Sequence, residues 1–400
     1  MLFRQPAAAT GKPAPALLQR GFRPFFLLAM AYAALAIGLW AYSYFSGARP
    51  AAALVLPTYW HAHEMLFGFA TAVIAGFLLT AVTNWTGKNT ATGWPLAVLA
   101  LLWLGARVLP YSGTPYALPA AAVSDLLFGL GLFVATARPL LQARQWPQAG
   151  IISKLLLLVL CNAAFYAGAF GLFSDGGRSG LYAAFYLVLA LILTLLRRVL
   201  PFFIQGAAGP GVQLRNNRLV DIAGLVLFLV FAIAELVRPY SNTGALLAGV
   251  LVLLHGYRLA GWYHPIVFRR ALLWILFVGY LWLIAGFALH ALAVFAGFNP
   301  YLSVHAFAVG GIGMITIGMM TRVALGHTGR NVFEPPAALG WLFLSLAGGA
   351  LVRVLLPLVS PGLYGWWIGL SMSLWILAFA GVFLVYRPML TAARVDGAPG

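Results

Sequence analysis

Charged side chains are scarce in this sequence: Asp, Glu, Lys and Arg make up 8% of its 400 residues. Soluble proteins carry about a quarter, so this chain cannot cover a water-exposed surface with charge. Its 63% of apolar residues and its mean hydropathy of +0.95 instead indicate a protein embedded in lipid. The single cysteine, Cys161, excludes an internal disulfide, a thiolate-held iron–sulfur cluster and the Cys-x-x-Cys-His attachment of c-type haem. Any metal or cofactor must be held by other ligands.

Long apolar runs recur along the chain, and a helix that crosses the hydrocarbon core needs roughly 20 such residues. The runs are continuous, which favours helices over the alternating strands of a membrane barrel. We predict an all-α integral membrane protein with twelve transmembrane helices in one bundle at residues 21–388. Cytoplasmic tails at 1–20, predicted to be disordered, and at 389–400 flank this single domain. The predicted spans are 24–45, 62–82, 93–109, 116–137, 151–173, 180–203, 219–237, 243–262, 271–296, 301–325, 337–357 and 363–386.

The distribution of cations predicts the orientation of the spans, since Lys and Arg concentrate in cytoplasmic loops. With both termini inside, 19 of the 24 Lys and Arg residues fall on the inner side. The exceptions, assigned to outer loops, are Arg49, Arg107, Arg178, Arg238 and Arg353. The net charge of +17 is spread over many inner loops rather than gathered into a patch. We therefore expect anionic lipid head groups, and not nucleic acid, to be the partner of these cations.

The seven histidines fall at particular depths of the predicted spans. His61 and His63 lie at the outer mouth of the second span, His290 near the outer end of the ninth, and His305 one turn into the tenth. No two histidines are three or four residues apart, so a shared metal would be bound between helices. Because imidazole is the commonest metal ligand, this convergence favours a metal site. The predicted metal ligands are His61, His63, His255, His290 and His305, whereas His264 and His327 are interpreted as interfacial.

Glycines follow His305 in the tenth span, at Gly310, Gly311, Gly313 and Gly318. Small residues allow a flat group or another helix to approach the backbone closely. The strip is therefore compatible with a haem whose iron is held by His305, or with ordinary helix packing. Packing is the more frequent use of such strips in membranes.

Two intramembrane acids, Glu64 and Asp125, are predicted to contribute to the same site. Ionisable groups in hydrocarbon are costly and need a partner or a function. Either acid would orient a ligating imidazole or relay protons, or else pair with an outer arginine such as Arg107. Glu235 and Arg238 lie three residues apart and predict a local ion pair.

Several separate motifs make the chain resemble the NnrS family. They are Gly21-Phe-Arg-Pro-Phe-Phe26, His61-Ala-His-Glu-Met-Leu-Phe-Gly68, Asn84-Trp-Thr-Gly87, Arg197-Arg198 with Pro201-Phe-Phe203, and the run from His305 to Arg322-Val-Ala-Leu-Gly-His-Thr-Gly-Arg330. The resemblance extends from about residue 20 to the end of the twelfth span. It implies a bacterial inner-membrane protein with twelve spans, associated with haem, copper and the response to nitric oxide.

The layout is also distantly similar to the catalytic subunit of haem–copper oxidases, which has twelve spans and histidines on its second and tenth. This chain lacks the adjacent His-His pair and the His-x-x-x-Tyr copper motif of those enzymes. The comparison is therefore one of architecture and does not predict an oxygen-reducing centre.

The resemblance leads to a functional prediction: a haem-binding inner-membrane protein that binds or consumes nitric oxide and protects against nitrosative stress. The haem would be a non-covalent haem b held by His61, His63 or His305, with His290 as a second choice. Copper, if bound, would use His290 or His255. Were nitric oxide reduced, Glu64 and Asp125 would be the catalytic proton relays; whether the protein is such an oxidoreductase is left open, and the sequence reveals no electron donor.

Two alternatives belong to other functional classes. A secondary transporter would also have twelve spans with intramembrane acids and histidines. The loop after the second span, however, lacks the acidic and paired basic pattern of the major facilitator group. A sensor or assembly factor would bind haem without turnover.

Overall fold

A computed structural model describes residues 14–48 and 55–398. Every regular element in these residues is helical, and twelve helices are long and apolar enough to cross a membrane. The predicted fold class and the number and order of spans are confirmed. The twelve helices are α1 (Phe22–Ser46), α2 (Pro57–Thr86), α3 (Trp94–Tyr111), α4 (Ala117–Gln142), α5 (Trp146–Ala169), α6 (Gly176–Ala208), α7 (Arg218–Val237), α8 (Asn242–Gly261), α9 (Ala271–Phe295), α10 (Pro300–His327), α11 (Ala338–Val359) and α12 (Pro361–Thr391).

Local sequence explains where several helices begin and end. The side chains of Asn217, Ser241 and Asn299 accept hydrogen bonds from backbone N–H groups in the first turns of α7, α8 and α10. α1 and α2 end at Gly47 and Gly87, which adopt left-handed conformations with φ of 70° and 67°. These caps place the turns close to the predicted span limits.

The predicted tails are only partly described, because the described residues do not include 1–13 and 399–400. Arg49, predicted to lie in the first outer loop, is also outside the described residues. Within the described part of the first tail, Ala16–Leu18 form a 3₁₀ turn, and the carbonyl of Leu18 accepts a hydrogen bond from Gly93 N at 2.8 Å. At the other end, α12 continues to Thr391, and Val395 N donates to Thr328 O at 3.2 Å. The described parts of both tails therefore contact residues at helix ends, since Gly93 precedes α3 and Thr328 follows α10.

The contacts group the chain into two compact units. Unit 1 comprises Met1–Leu187, Val323–Arg330 and Phe383–Gly400, and unit 2 comprises Val188–Arg322 and Asn331–Val382. In unit 1, α4 packs against α2, α3 and α5, and α1 packs against α2. In unit 2, α9 packs against α8 and α10. Unit 1 thus contains His61 and His63, while unit 2 contains His255, His290 and His305.

Helices α2 and α10 each change from α- to π-helical geometry directly after a candidate histidine. The π-helical segment of α2 covers Glu64–Ala70, after His63, and that of α10 covers Ala306–Gly313, after His305. Such wide turns are rare and occur frequently at functional sites. Two of the four spans with candidate histidines, α2 and α10, thus contain a π-helical segment in the described residues.

Candidate functional site

Unit 1 contains a group of buried polar side chains contributed by α1 to α5. We call it the buried ion cluster, and its members are Tyr32, His63, Glu64, Arg107, Asp125, Asn162 and Tyr166. All seven are less than 10% exposed. So many polar groups in the interior are tolerated only when they satisfy one another.

Arg107 joins the two acids of the cluster. Its Nη1 lies 3.0 Å from Glu64 Oε2, and its Nη2 lies 2.5 Å from Asp125 Oδ2. The hydroxyl of Tyr32 donates to Glu64, and that of Tyr166 donates to Asp125 at 3.2 Å. Of the alternatives that the sequence left open for these acids, the structure shows a contact with Arg107 for both. The assignment of Arg107 to an outer loop is wrong, because it lies in the last turns of α3 and its charge is buried against carboxylates from α2 and α4.

His63 completes the cluster through both of its ring nitrogens. Nδ1 lies 2.9 Å from Glu64 Oε1, and Nε2 lies 3.0 Å from Asn162 Oδ1 and 3.5 Å from Asp125 Oδ2. Both ring nitrogens of His63 are therefore engaged by neighbouring oxygens. Its predicted role as a metal ligand stays a prediction.

Gly68 allows the cluster to close. A Cβ atom at this position would lie 2.6 Å from Tyr32 Cε1 and 3.0 Å from Arg107 Nη1. The carbonyl of Gly68 also accepts a hydrogen bond from Trp103 Nε1 at 3.0 Å. The spacing within the motif from His61 to Gly68 thus has a physical reason. Its π-helical turn brings His63, Glu64 and Gly68 to one buried site.

A small cavity of about 20 Å³ adjoins the cluster on the side of Asp125 and Asn162. Its other lining residues, apart from Thr71, are apolar side chains of α2, α4 and α5. This volume has room for about one water molecule, and Asp125, Asn162 and Thr71 supply polar partners for it. A water here would extend the hydrogen-bonded chain of the cluster beyond Asp125.

His61 occupies a different environment from His63. Its ring stacks on that of Trp40 in α1, with centroids 4.7 Å apart and an interplanar angle of 16°. The two histidines of the motif therefore point to separate surroundings, as their spacing of two residues predicts.

In unit 2, the ring of His305 is fixed by hydrogen bonds to both nitrogens. Nδ1 lies 2.7 Å from the carbonyl oxygen of Tyr301, and Nε2 lies 3.2 Å from Arg353 Nη2. A carbonyl only accepts and a guanidinium only donates, so both contacts require the proton on Nδ1 and the lone pair on Nε2. An imidazole whose Nδ1–H is held by a backbone carbonyl is typical of metal-ligating histidines.

His290 lies beside a buried carboxylate. Its Nε2 is 3.2 Å from Glu235 Oε1, without the alignment of a hydrogen bond, while Tyr240 N donates to Glu235 Oε2 at 3.0 Å. The predicted pair of Glu235 with Arg238 is therefore wrong. α7 ends at Val237, and Arg238 has an extended φ of −143°, so the two residues are not on one helical face. A carboxylate next to an imidazole is a common outer partner of metal-bound histidine.

His255 has the opposite tautomer from His305. Its Nδ1 lies 2.6 Å from the hydroxyl of Tyr280 and 3.2 Å from Arg258 Nη1. Because a guanidinium only donates, Nδ1 accepts and Nε2 carries the proton. That Nε2 is buried without a hydrogen-bond partner in the described residues. It directs an N–H group rather than a lone pair into the interior, so this arrangement does not favour metal ligation by His255.

Two of the histidines of unit 2 share one aromatic cluster. His255 stacks on Phe287 with centroids 5.7 Å apart, and His290 meets Phe231 edge-on at 5.0 Å. Phe231 and Phe287 are themselves 5.6 Å apart, and Phe307 of α10 lies 4.9 Å from Phe287. Among residues 14–48 and 55–398, no group of three or more His, Cys, Asp or Glu side chains is arranged to hold a metal.

The glycine strip of α10 is filled by side chains of unit 2. A Cβ at Gly310 or Gly311 would overlap Trp282 or Leu283 of α9, and one at Gly313 would meet Trp375 of α12 at 2.6 Å. Helix packing therefore accounts for these glycines, and the strip does not seat a flat group in this structure.

Several residues of these sites are absent from the sequence-based predictions. Tyr32, Asn162 and Tyr166 join the buried ion cluster, and Arg258 and Tyr280 determine the tautomer of His255. A polar residue such as Asn162 within an apolar span was the available signal, because the hydrocarbon core penalises it. The partners of Asn162 lie on other helices, and a single sequence does not show which helices are in contact.

Comparison with known proteins supports the resemblance seen in the motifs. The sequence profile of a family described as NnrS protein matches residues 16–394. The match thus includes all twelve helices, the buried ion cluster and the three candidate ligands of unit 2, His255, His290 and His305. No curated protein matches the chain.

Proposed function

The chain belongs to the NnrS family, and from this premise we propose that it is a haem-binding membrane protein that binds or consumes nitric oxide. In this role it protects a bacterium against nitrosative stress. Family membership is the observation that carries the proposal, since the family is associated with the nitric oxide response. We place the protein in the inner membrane with both termini in the cytoplasm, as the distribution of its cations favours.

The membrane location suits this ligand. Nitric oxide is small, uncharged and lipid-soluble, so it reaches a site among transmembrane helices without a polar channel. A bound haem would supply the iron that binds nitric oxide. With one cysteine in the chain, that haem would be the non-covalent b type.

Among the predicted ligands, His305 fits haem iron best. Its Nδ1–H bond to the Tyr301 carbonyl and its place before a π-helical turn support this role. Its Nε2 lone pair accepts from Arg353 Nη2 at 3.2 Å, so an iron bound there would replace that guanidinium as the partner of Nε2. His290, with Glu235 as an outer partner, is the second choice within unit 2. Copper is less well supported, because the described residues contain no group of three side chains arranged to bind a metal.

The buried ion cluster serves a different purpose in this proposal. If nitric oxide is reduced, protons are needed, and His63 bonds to Glu64 at 2.9 Å and lies 3.5 Å from Asp125, so these three groups form a candidate proton path. The cavity beside Asp125 would add a water at one end of that path. Glu64 and Asp125 would then hold and pass protons, while Arg107 keeps both in place.

Haem and copper analysis of the purified full-length protein tests the proposal. We expect about one haem b per chain by the pyridine haemochrome assay, since one well-oriented histidine would hold one iron. Extraction into acidified acetone checks that the haem is not covalently attached. A protein that folds and carries neither haem nor copper would contradict the proposal and would favour the transporter alternative. A protein that keeps its haem but does not remove nitric oxide with a reductant present is a binder or sensor rather than an enzyme.

A further inference from the structure

Four arginines gather at the end of unit 1 that is predicted to face the cytoplasm. We call this group the arginine cluster, and its members are Arg20 and Arg23 at the start of α1, Arg330 after α10, and Arg394 after α12. The charges of Arg330 and Arg394 both act on Arg23, and that of Arg394 acts on Arg20. Asp396 is the acidic side chain that the structure pairs with a member of this cluster.

Arg23 is 0% exposed, which is unusual for a cationic side chain. Its Nη1 donates to the carbonyl oxygens of Leu390 and Ala392, at 3.0 and 2.6 Å. Its Nε and Nη2 are buried and have no hydrogen-bond partner in the described residues. The same is true of Nη1 of Arg330. Buried donors of this kind are costly unless an acceptor satisfies them.

The segment after α12 holds the cluster together. Arg394 Nη1 donates to His327 O at 3.1 Å, and Val395 N donates to Thr328 O at 3.2 Å. Gly329, with φ of +79°, permits the turn, and Asp396 packs directly against it, with its Cγ 2.9 Å from where a Cβ would stand. The C-terminal segment therefore lies against the end of α10, close to Arg23.

Arg394 is the arginine that pairs with the Asp396 carboxylate, which also accepts from the backbone N–H of Ala398 at 3.2 Å. Arg394 Nε and Nη2 lie 2.9 and 2.6 Å from the two oxygens of Asp396. This bidentate bond raises the pKa of Arg394 and lowers the pKa of Asp396 to about 2. Burial, followed by the charge of Arg394, lowers the pKa of Arg20. Positive charge at this end of unit 1 thus exceeds the negative charge available there.

We propose that the arginine cluster binds a phosphate group through the unsatisfied guanidinium donors of Arg23 and Arg330. A phosphate presents several strong acceptor oxygens and at least one negative charge, so it would satisfy donors that arrive from different chain segments. Basic pockets between helices at the cytoplasmic interface are a usual place for lipid phosphates. The phosphate is that of an anionic phospholipid head group or of a free phosphate ion.

The proposal explains motifs that haem binding leaves unused. Arg23 belongs to the segment Gly21-Phe-Arg-Pro-Phe-Phe26, and Arg330 ends the run that begins at Arg322. Phe22 of the first segment also contacts His327 of the second, with ring centroids 5.5 Å apart. Two distant sequence segments therefore meet at one basic site.

The test measures thermal unfolding of the full-length protein in neutral detergent with defined additives. Dioleoyl phosphatidylglycerol is compared with dioleoyl phosphatidylcholine, and sodium phosphate with sodium chloride at equal ionic strength. We expect phosphatidylglycerol, phosphate or both to raise the unfolding midpoint more than their controls. Arg330→Gln and Arg23→Gln should weaken the apparent affinity about tenfold, the effect of one lost charge-assisted hydrogen bond. Arg138→Gln is the matched control, because Arg138 is an exposed cation at the inner end of α4.

The two additive arms separate the sources of the phosphate. Protection by phosphatidylglycerol alone assigns a lipid head group, and protection by sodium phosphate as well assigns a site open to free phosphate. Arg23→Gln removes two bonds to the C-terminal segment and can fail to fold, in which case Arg330→Gln decides. The proposal is overturned if neither phosphate-containing additive exceeds its control, or if Arg330→Gln and Arg138→Gln bind them equally well.

Discussion

Replacing Arg107 by leucine is expected to lower the free energy of unfolding by about 3–5 kcal/mol, the usual effect of breaking a buried ion pair by removing one partner. Arg107 lies between Glu64 and Asp125, at 3.0 and 2.5 Å, with all three side chains buried. Without the guanidinium, the two carboxylates remain in the interior and lose the cation that lies between them. Unfolding of the purified protein by increasing SDS in mixed micelles measures this loss.

A surface pair provides the matched control for Arg107. Arg178 lies 4.0 Å from Asp175, and both side chains are more than a third exposed. Arg178→Leu should therefore cost about 0–1 kcal/mol. Adding Asp125→Asn to Arg107→Leu should recover part of the loss, because it removes the uncompensated charge. Equal losses for Arg107→Leu and Arg178→Leu would show that the buried ion cluster does not stabilise the fold.

Replacing His305 by alanine is expected to reduce haem affinity at least tenfold, with loss of most haem during purification. Even outer partners of metal ligands contribute 10- to 100-fold to affinity, and His305 is proposed as the ligand itself. Hydrogen bonds to Tyr301 and Arg353 already orient the ring. The substitution therefore removes a pre-oriented ligand rather than a flexible side chain. Haem per chain and the intensity of the Soret band are the measurements.

Controls for His305 separate ligation from misfolding. His264→Ala removes a histidine in the connection between α8 and α9, whose Nδ1 accepts from Ile266 N at 3.2 Å, and should keep full haem. His305→Gly with added imidazole should recover haem, because the free ring replaces the missing ligand. Full haem retention by His305→Ala would contradict the assignment and transfer the role to His290 or His61.

The number and order of the helices could be predicted from the sequence because each span is a long apolar run bounded by polar or turn residues. The limits were less accurate at α6, which covers Gly176–Ala208 instead of 180–203. Span length in the sequence reflects the apolar core, whereas helices continue into the interface as long as their backbone hydrogen bonds are satisfied.

The buried ion cluster could be predicted only in part. Its acids were recognisable, because a carboxylate inside an apolar run needs a partner. Arg107 was misplaced because its sequence position near a helix end indicates a loop, and only the three-dimensional packing buries it. Glu235 and Arg238 illustrate the reverse case, since a spacing of three residues predicts contact only while the helix continues.

The depth of a histidine is readable from sequence, but its tautomer is not. His255 and His305 look equivalent as imidazoles in apolar spans. Arg258 and Tyr280 assign the lone pair of His255 to Nδ1, whereas Tyr301 and Arg353 assign that of His305 to Nε2. The difference arises from residues on other helices or one turn away. It is also what makes His305 the better ligand.

The optical spectrum of the reduced, purified protein, recorded before and after anaerobic addition of nitric oxide, tests the central claim most directly. The proposed function predicts a Soret band at about one haem per chain that shifts and saturates as nitric oxide binds the iron. A folded protein without a Soret band, or with one that excess nitric oxide leaves unchanged, would contradict it.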